Sequence, residues 1–190
     1  DFVSPIDEDS LATIIVNDKK IKTKLVGAYN KNNIIAAYTI GCFFKVKELD
    51  IINSLQEFTP SNNRSELKIT KAKNTLILDA YNANPTSMEA SIESFLEIKK
   101  KSCWLILGDM LELGESSLKE HQKIINNLKE RETENVLLIG KEFGKCNHAF
   151  RHFESVDLAE FWIKENSIEN SHILLKGSRG IKVENLERVL

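Results

Sequence analysis

Two short β-rich runs, residues 10–16 (SLATIIV) and 21–26 (IKTKLV), are joined by the polar Asn17, Asp18, Lys19 and Lys20, a pattern that predicts a hairpin. After Gly27, the apolar-rich run IIAAYTIGCFF, led in by Asn30, predicts a buried helix despite Gly41. A shorter amphipathic stretch sets Leu49, Ile51, Ile52, Leu55 and Phe58 on one face and stops at Pro60. The cluster Pro60, Ser61, Asn62, Asn63 is the one clear breaker, and it predicts a boundary between 1–60 and 61–190. Beyond it, ELKIT and NTLILD predict a second hairpin. Short, uniformly apolar strands at 75–79, 103–107, 135–140 and 172–176 then alternate with amphipathic helices at about 86–100, 116–130, 156–166 and 180–189. That alternation predicts an α/β fold whose sheet is mostly parallel and covered on both faces.

In such a sheet, ligands bind beyond the carboxyl ends of the strands. Three strand ends are more polar than a plain connection needs: Asp79 to Pro85, Gly108 to Gly114, and Lys176 to Gly180. In the first, Pro85 suits the opening position of a helix, with Asn84 as its cap. Asn82, Asn84 and Pro85 then make either a simple turn and cap or, with Asp79 as a hydroxyl acceptor, a set of groups facing a ligand. The second loop is either a glycine-bounded connection or part of that ligand surface, and Ser117 with Glu120 predicts a capping box for the helix after it. In the third, Lys176, the amides near Gly177 and Ser178, and Arg179 gather at an expected helix start. They make either a solvated basic turn or a carboxylate or phosphate site.

Other signals fail on spacing. Gly140, Gly144 and Lys145 do not make a phosphate loop, because the glycines are one residue too close and Cys146 stands where Ser or Thr is needed. His148, His152 and Cys146 lack a fourth zinc ligand, and no metal site is expected. The 190 residues suit one full domain and part of another at roughly 150 residues each. A net charge of −2 argues against a nucleic-acid surface. No apolar run approaches the roughly 18 residues of a membrane span, and no signal peptide is expected at residues 1–20. The three cysteines form no CxxC pair and read as free thiols of a cytoplasmic protein.

The run DAYNANPTSM (79–88) resembles a signature of the Mur ligases of peptidoglycan synthesis, in the branch that adds D-alanyl-D-alanine. GDMLELGESSLKEH (108–121) and LLKGSRGIKVE (174–184) resemble its next and last motifs, and GAYNKNNIIAA (27–37) is similar to the helix closing the family's central ATPase domain. The resemblance implies that 1–60 is the C-terminal part of that ATP-binding domain, incomplete here, and that 61–190 is the Rossmann-like C-terminal domain. It also implies a nucleotide site in which Asn33, with Asn30 beside it, contacts adenine, Arg64 reaches the ATP phosphates and Asp79 binds the ribose hydroxyls. Tyr81, Asn82, Asn84, Asp109, Lys176, Ser178 and Arg179 would lie near the incoming dipeptide. The family often has a second acid and a serine before the tyrosine, where this chain has Leu78 and Ala80; Tyr29 stands where histidine or arginine is common.

The implied reaction is ATP-dependent amide ligation through an acyl phosphate, with UDP-MurNAc-tripeptide, D-Ala-D-Ala and ATP as substrates and Mg2+ as companion ion. The family's GTNGKT-type loop does not occur in these 190 residues. The resemblance places that loop, the carboxylated lysine and the magnesium ligands elsewhere in the central domain. The chain is thus expected to be a fragment with no catalytic residue of its own, inactive alone, from a cytoplasmic monomer that binds neither membrane nor nucleic acid. Two other readings are another Mur-type amino-acid ligase and a stand-alone nucleotide- or dipeptide-binding domain.

Overall fold

The computed structural model describes residues 11–98 and 102–190, so the expected strand start at residue 10 and helix end at 99–100 lie outside the described residues. The chain forms two compact units, 1–61 and 62–190.

In the first unit, β1 (Leu11–Val16) pairs antiparallel with β2 (Lys19–Val26). The turn is tighter than the four polar residues suggest: Asn17 and Asp18 alone make it, at φ 48° and 60°. This left-handed pair matches the twist of the strands it joins. Helices α1 (Asn30–Phe43) and α2 (Glu48–Glu57) follow. Ala12, Ile14, Ile21, Ile34, Tyr38 and Ile51 form the core. The expectation of a buried α1 is corrected. Only Asn30, Ile34 and Tyr38 are buried on it, while Ile35, Ile40 and Phe43 are exposed. An apolar run is ambiguous in this way, because residues three and four apart share a face whatever occupies the other face.

Glu48 ties this unit together. Its carboxylate accepts from Asn17 Nδ2 at 3.0 Å, from the Tyr38 hydroxyl at 2.8 Å, and from the Lys19 ammonium. These donors, Lys19 foremost, hold the Glu48 carboxyl down at about 2, and the Tyr38 phenol is pushed up to about 12, chiefly by donating to Glu48. An unfolded glutamate titrates near ~4.3. A depressed folded value therefore stabilises the unit fully above that pH, and the gain is lost as pH falls toward 2. The unfolding midpoint of this unit, read from Ile14 and Ile21 NMR signals, is expected to exceed that of Glu48→Gln above about pH 5. The gap should narrow steadily with acid; a constant gap would sink the assignment.

The second unit is a six-stranded sheet in the order β3-β4-β8-β5-β6-β7. Its strands are β3 (Glu66–Ile69), β4 (Thr75–Asp79), β5 (Cys103–Gly108), β6 (Val136–Ile139), β7 (Arg151–Phe153) and β8 (His172–Lys176). Only the β3–β4 pairing is antiparallel. Helices α3 (Pro85–Leu96), α4 (Ser117–Glu130), the single turn α5 (Lys141–Gly144) and α6 (Val156–Glu165) connect the parallel strands. On one sheet face, Leu76, Leu78, Ile106, Leu137, Ile139, Ile173 and Leu175 pack with Ala159 and Ile163 of α6. The alternate strand residues Ile77, Leu105, Leu107, Leu138 and Leu174 are buried too, as are Met88 and Ile92 of α3 and Ile124 and Ile125 of α4. Both faces are covered, as uniformly apolar parallel strands require.

Three details differ from expectation. β7 has no apolar run to announce it. Residues 183–189 form a 3₁₀ helix after Lys182 at φ 63°, rather than an α-helix over 180–189. The Ser117–Glu120 capping box does not form: Ser116 holds the cap position, but its hydroxyl donates back to the Leu113 carbonyl at 2.7 Å instead of capping the helix, and Ser117 Oγ donates to Glu142 at 2.8 Å. Among the described residues, no helix is long and apolar enough to cross a membrane.

Candidate functional site

Because β8, the last strand, lies between β4 and β5, the three loops at their carboxyl ends meet although they are far apart in sequence. The strand ends are in register: Asp79 lies opposite Lys176, and Lys176 opposite Leu107. Gly108 and Gly177 let these ends approach, since a Cβ on Gly177 would sit 3.0 Å from Gly108 Cα.

Asp79 and Lys176 form an ion pair, Nζ to Oδ2 at 2.6 Å, with side chains 15% and 2% exposed. Ser91 of α3 donates to the same Oδ2 at 3.1 Å. A lysine this deep needs a counter-ion, because an isolated buried ammonium carries a large desolvation cost.

Beside this pair, the Arg64 guanidinium lies 3.6 Å from the centroid of the Tyr81 ring, and that of Arg179 lies 5.6 Å from it. Such stacking holds a guanidinium without using its N–H donors. The backbone around Arg64 is unusual: Asn62, Asn63 and Ser65 have φ of 59°, 58° and 52°. The segment is fixed because the Asn63 carbonyl accepts from the Ala80 and Tyr81 amides at 2.9 and 3.1 Å, and the Asn63 amide donates to Glu66 Oε1 at 2.7 Å. Consecutive left-handed residues that the surroundings over-determine are a mark of sites where geometry is held for use.

The remaining predicted residues divide into buried and exposed. Asp109 is 2% exposed, and its two oxygens accept from the Glu142 and Phe143 amides at 2.8 and 2.9 Å, capping α5. His121 Nε2 lies 3.8 Å from Asp109 Oδ1, but it accepts the Met110 amide at 3.0 Å while Nδ1 donates to the Ser117 carbonyl at 2.7 Å. The ring therefore carries its proton on Nδ1 and is no ion-pair partner of Asp109. Ser178 stitches the loops together: its amide donates to the Asp109 carbonyl, and its hydroxyl accepts from the Leu111 amide and donates to the Ala83 carbonyl. Asn84 caps α3 by accepting from the Ser87 amide at 2.8 Å, with Pro85 behind it. Asn82, exposed, accepts from the adjacent Ala83 amide. Nearby, Lys145 first and Ser117 second hold the Glu142 carboxyl below its ordinary range. In the first unit, Asn33 Nδ2 donates to Asn30 Oδ1 at 3.0 Å, and buried Asn30 donates to the Val26 carbonyl at 2.7 Å.

Sequence reasoning missed Ser91 and His121. Ser91 was findable, since it breaks the apolar face formed by Met88, Ile92 and Phe95. His121, four residues after Ser117 on the buried face of α4, carried a similar signal.

A family model described as the Mur ligase, glutamate ligase domain matches residues 63–179. The UDP-N-acetylmuramoyl-tripeptide–D-alanyl-D-alanine ligase of Bacillus subtilis is 32% identical over 99% of this chain and 43% of its own length. Among solved structures, MurF from Acinetobacter baumannii superposes with TM-score 0.75 at 26% identity, over 90% of this chain and 39% of that one. MurF ligase from Thermotoga maritima, solved in complex with ADP, gives TM-score 0.74 at 21% identity, over 94% of this chain and 42% of that one. The chain thus spans about two fifths of the length of the proteins it matches.

Proposed function

Because the chain belongs to the Mur ligase family, we propose that it forms part of an ATP-dependent amide ligase. The ligase joins D-alanyl-D-alanine to UDP-N-acetylmuramoyl-tripeptide in peptidoglycan synthesis. The name carried by the Bacillus subtilis relative supports this substrate pair. The observation that carries the reading is the meeting of Arg64, Asp79, Tyr81 and Arg179 at one end of the sheet. Residues 1–60 belong to the ATP-binding domain and 61–190 are the Rossmann-like C-terminal domain, of a cytoplasmic, monomeric enzyme.

In the proposed reaction, a carboxylate oxygen of the tripeptide attacks the γ-phosphorus of ATP, and ADP leaves. The dipeptide amine then attacks the acyl carbon of the resulting acyl phosphate. The tetrahedral intermediate collapses by breaking the bond to the phosphate oxygen, and the amine loses its proton. Asp79 accepts the ribose hydroxyls, and Arg64 leaves the Tyr81 face to meet the phosphates, where a fork of N–H donors suits the charge. Tyr81, Asn82 and Arg179, all at least partly exposed, face the dipeptide, with Arg179 on its carboxylate. Asp109 and Ser178 hold the loops that present them. Mg2+ accompanies ATP in this reading, but among the described residues no group of three or more His, Cys, Asp or Glu side chains is placed to hold a metal ion.

The test is an NMR titration of the chain with D-alanyl-D-alanine, D-glutamate and L-lysine. Shifts at Tyr81 and Arg179 with the dipeptide alone, lost in Arg179→Ala, are expected. A response to either single amino acid instead would move the chain to another Mur-type ligase. The 190 residues by themselves are expected to release no phosphate from ATP with tripeptide and dipeptide present, since they hold no GTNGKT-type loop.

A further inference from the structure

Asp79 is a carboxylate with one oxygen engaged twice and the other not at all. Oδ2 accepts from the Lys176 ammonium at 2.6 Å and from the Ser91 hydroxyl at 3.1 Å. Each carboxylate oxygen offers about two lone-pair sites, so Oδ2 is filled, and Oδ1 has no donor among the described residues. Lys176 cannot readily leave: its side chain is 2% exposed, and it stands opposite Asp79 in strand register.

We infer that Lys176 is a positioning residue for Asp79 rather than a contact for the dipeptide: with Ser91 it pins Oδ2, so that Oδ1 alone is offered to the vicinal hydroxyls of a nucleoside. This rests on reading Asp79 as the ribose acceptor. Two consequences follow from the geometry. The two free lone pairs of Oδ1 match the two hydroxyls of a diol, and the pinned carboxylate does not lose rotational freedom when it binds. The pair is also close to neutral overall, so Asp79 does not cancel the attraction of Arg64 for a polyphosphate at the same end of the sheet.

The experiment measures the affinity of the chain for ATP and for 2′,3′-dideoxy-ATP by NMR titration. Since hydrogen bonds to a charged acceptor are the strong ones, the unaltered chain is expected to prefer ATP by about tenfold or more. Lys176→Met should bring the two affinities together by weakening ATP while leaving the dideoxy nucleotide unchanged, a pattern that loss of fold does not produce. Ser91→Ala, a milder change that decides the matter if Lys176→Met does not fold, should cut the preference to about threefold. A preference that survives both variants overturns the positioning role while leaving Asp79 as ribose acceptor. So does a Lys176→Met chain that keeps the preference but no longer responds to D-alanyl-D-alanine. Equal binding of the two nucleotides by the unaltered chain, or no binding of ATP, overturns the ribose reading itself.

Discussion

Asp79→Ala is expected to destabilise the larger unit by about 3–5 kcal/mol, and by more than Lys176→Met does, although each removes one partner of the same ion pair. The asymmetry comes from depth. Removing Asp79 strands an ammonium whose side chain is 2% exposed, whereas removing Lys176 strands a carboxylate that is 15% exposed and still bonded to Ser91. Water can reach the second group and hardly the first, so the desolvation cost left uncompensated differs. Replacing both residues by alanine and methionine should recover part of the loss, because no buried charge then lacks a partner. Urea unfolding followed by tryptophan fluorescence reads this unit selectively, since both tryptophans, Trp104 and Trp162, lie in it. Equal losses for the two single variants, or losses below about 1 kcal/mol, would show that the pair is not as dry as its geometry indicates.

The pair also shows where the sequence was readable. Asp79 and Lys176 could each be placed at a strand end, because a short apolar run bounded by polar residues is a strong local signal. Their contact could not be placed, because it depends on β8 inserting between β4 and β5, and strand order is a property of the whole sheet. The same distinction explains Ser178 and Asp109. Both were expected at the ligand, from loop position. The fold instead turns Asp109 onto the α5 amides and Ser178 onto three loops, so the residues left facing outward at this end of the sheet are Arg64, Tyr81, Asn82, Asn84 and Arg179. Polar residues beyond strand ends divide between holding the loops and facing outward, and the division is set by tertiary contacts that no local pattern records.

Local signals misled where a distant partner competed. The Ser117–Glu120 spacing fits a capping box, but the Ser117 hydroxyl finds Glu142, which the fold brings beside it. By contrast, Asn84–Pro85 opened α3 as expected, since capping there needs only Ser87, three residues on. β7 was invisible for a further reason: three residues at a sheet edge, RHF, are too few to establish any period.

Gly140→Ala is expected to be the most damaging small substitution in the larger unit, costing about 3–5 kcal/mol. Two effects coincide. Gly140 has φ 121° and ψ 167°, a region that is essentially glycine's alone. In addition, a Cβ there would stand 2.2 Å from Asp109 Oδ2 and 2.3 Å from its Cγ. Asp109 has little room to move aside, being 2% exposed and bonded through both oxygens to the Glu142 and Phe143 amides. Displacing it uncaps α5 and disturbs the Asp109 carbonyl that Ser178 uses, so the damage should reach the loops of the candidate site. Gly114→Ala separates the two effects. Gly114 also has positive φ, 54°, but a Cβ there meets nothing within 4 Å. That variant should lose only about 1 kcal/mol, the cost of a left-handed conformation for a residue with a side chain. Urea unfolding of the two variants, with the Tyr81 and Ser178 amide shifts as a second reading, measures both terms. Similar losses in the two variants would mean that Asp109 yields easily and that the overlap, and with it the rigidity assigned to this loop, is not real.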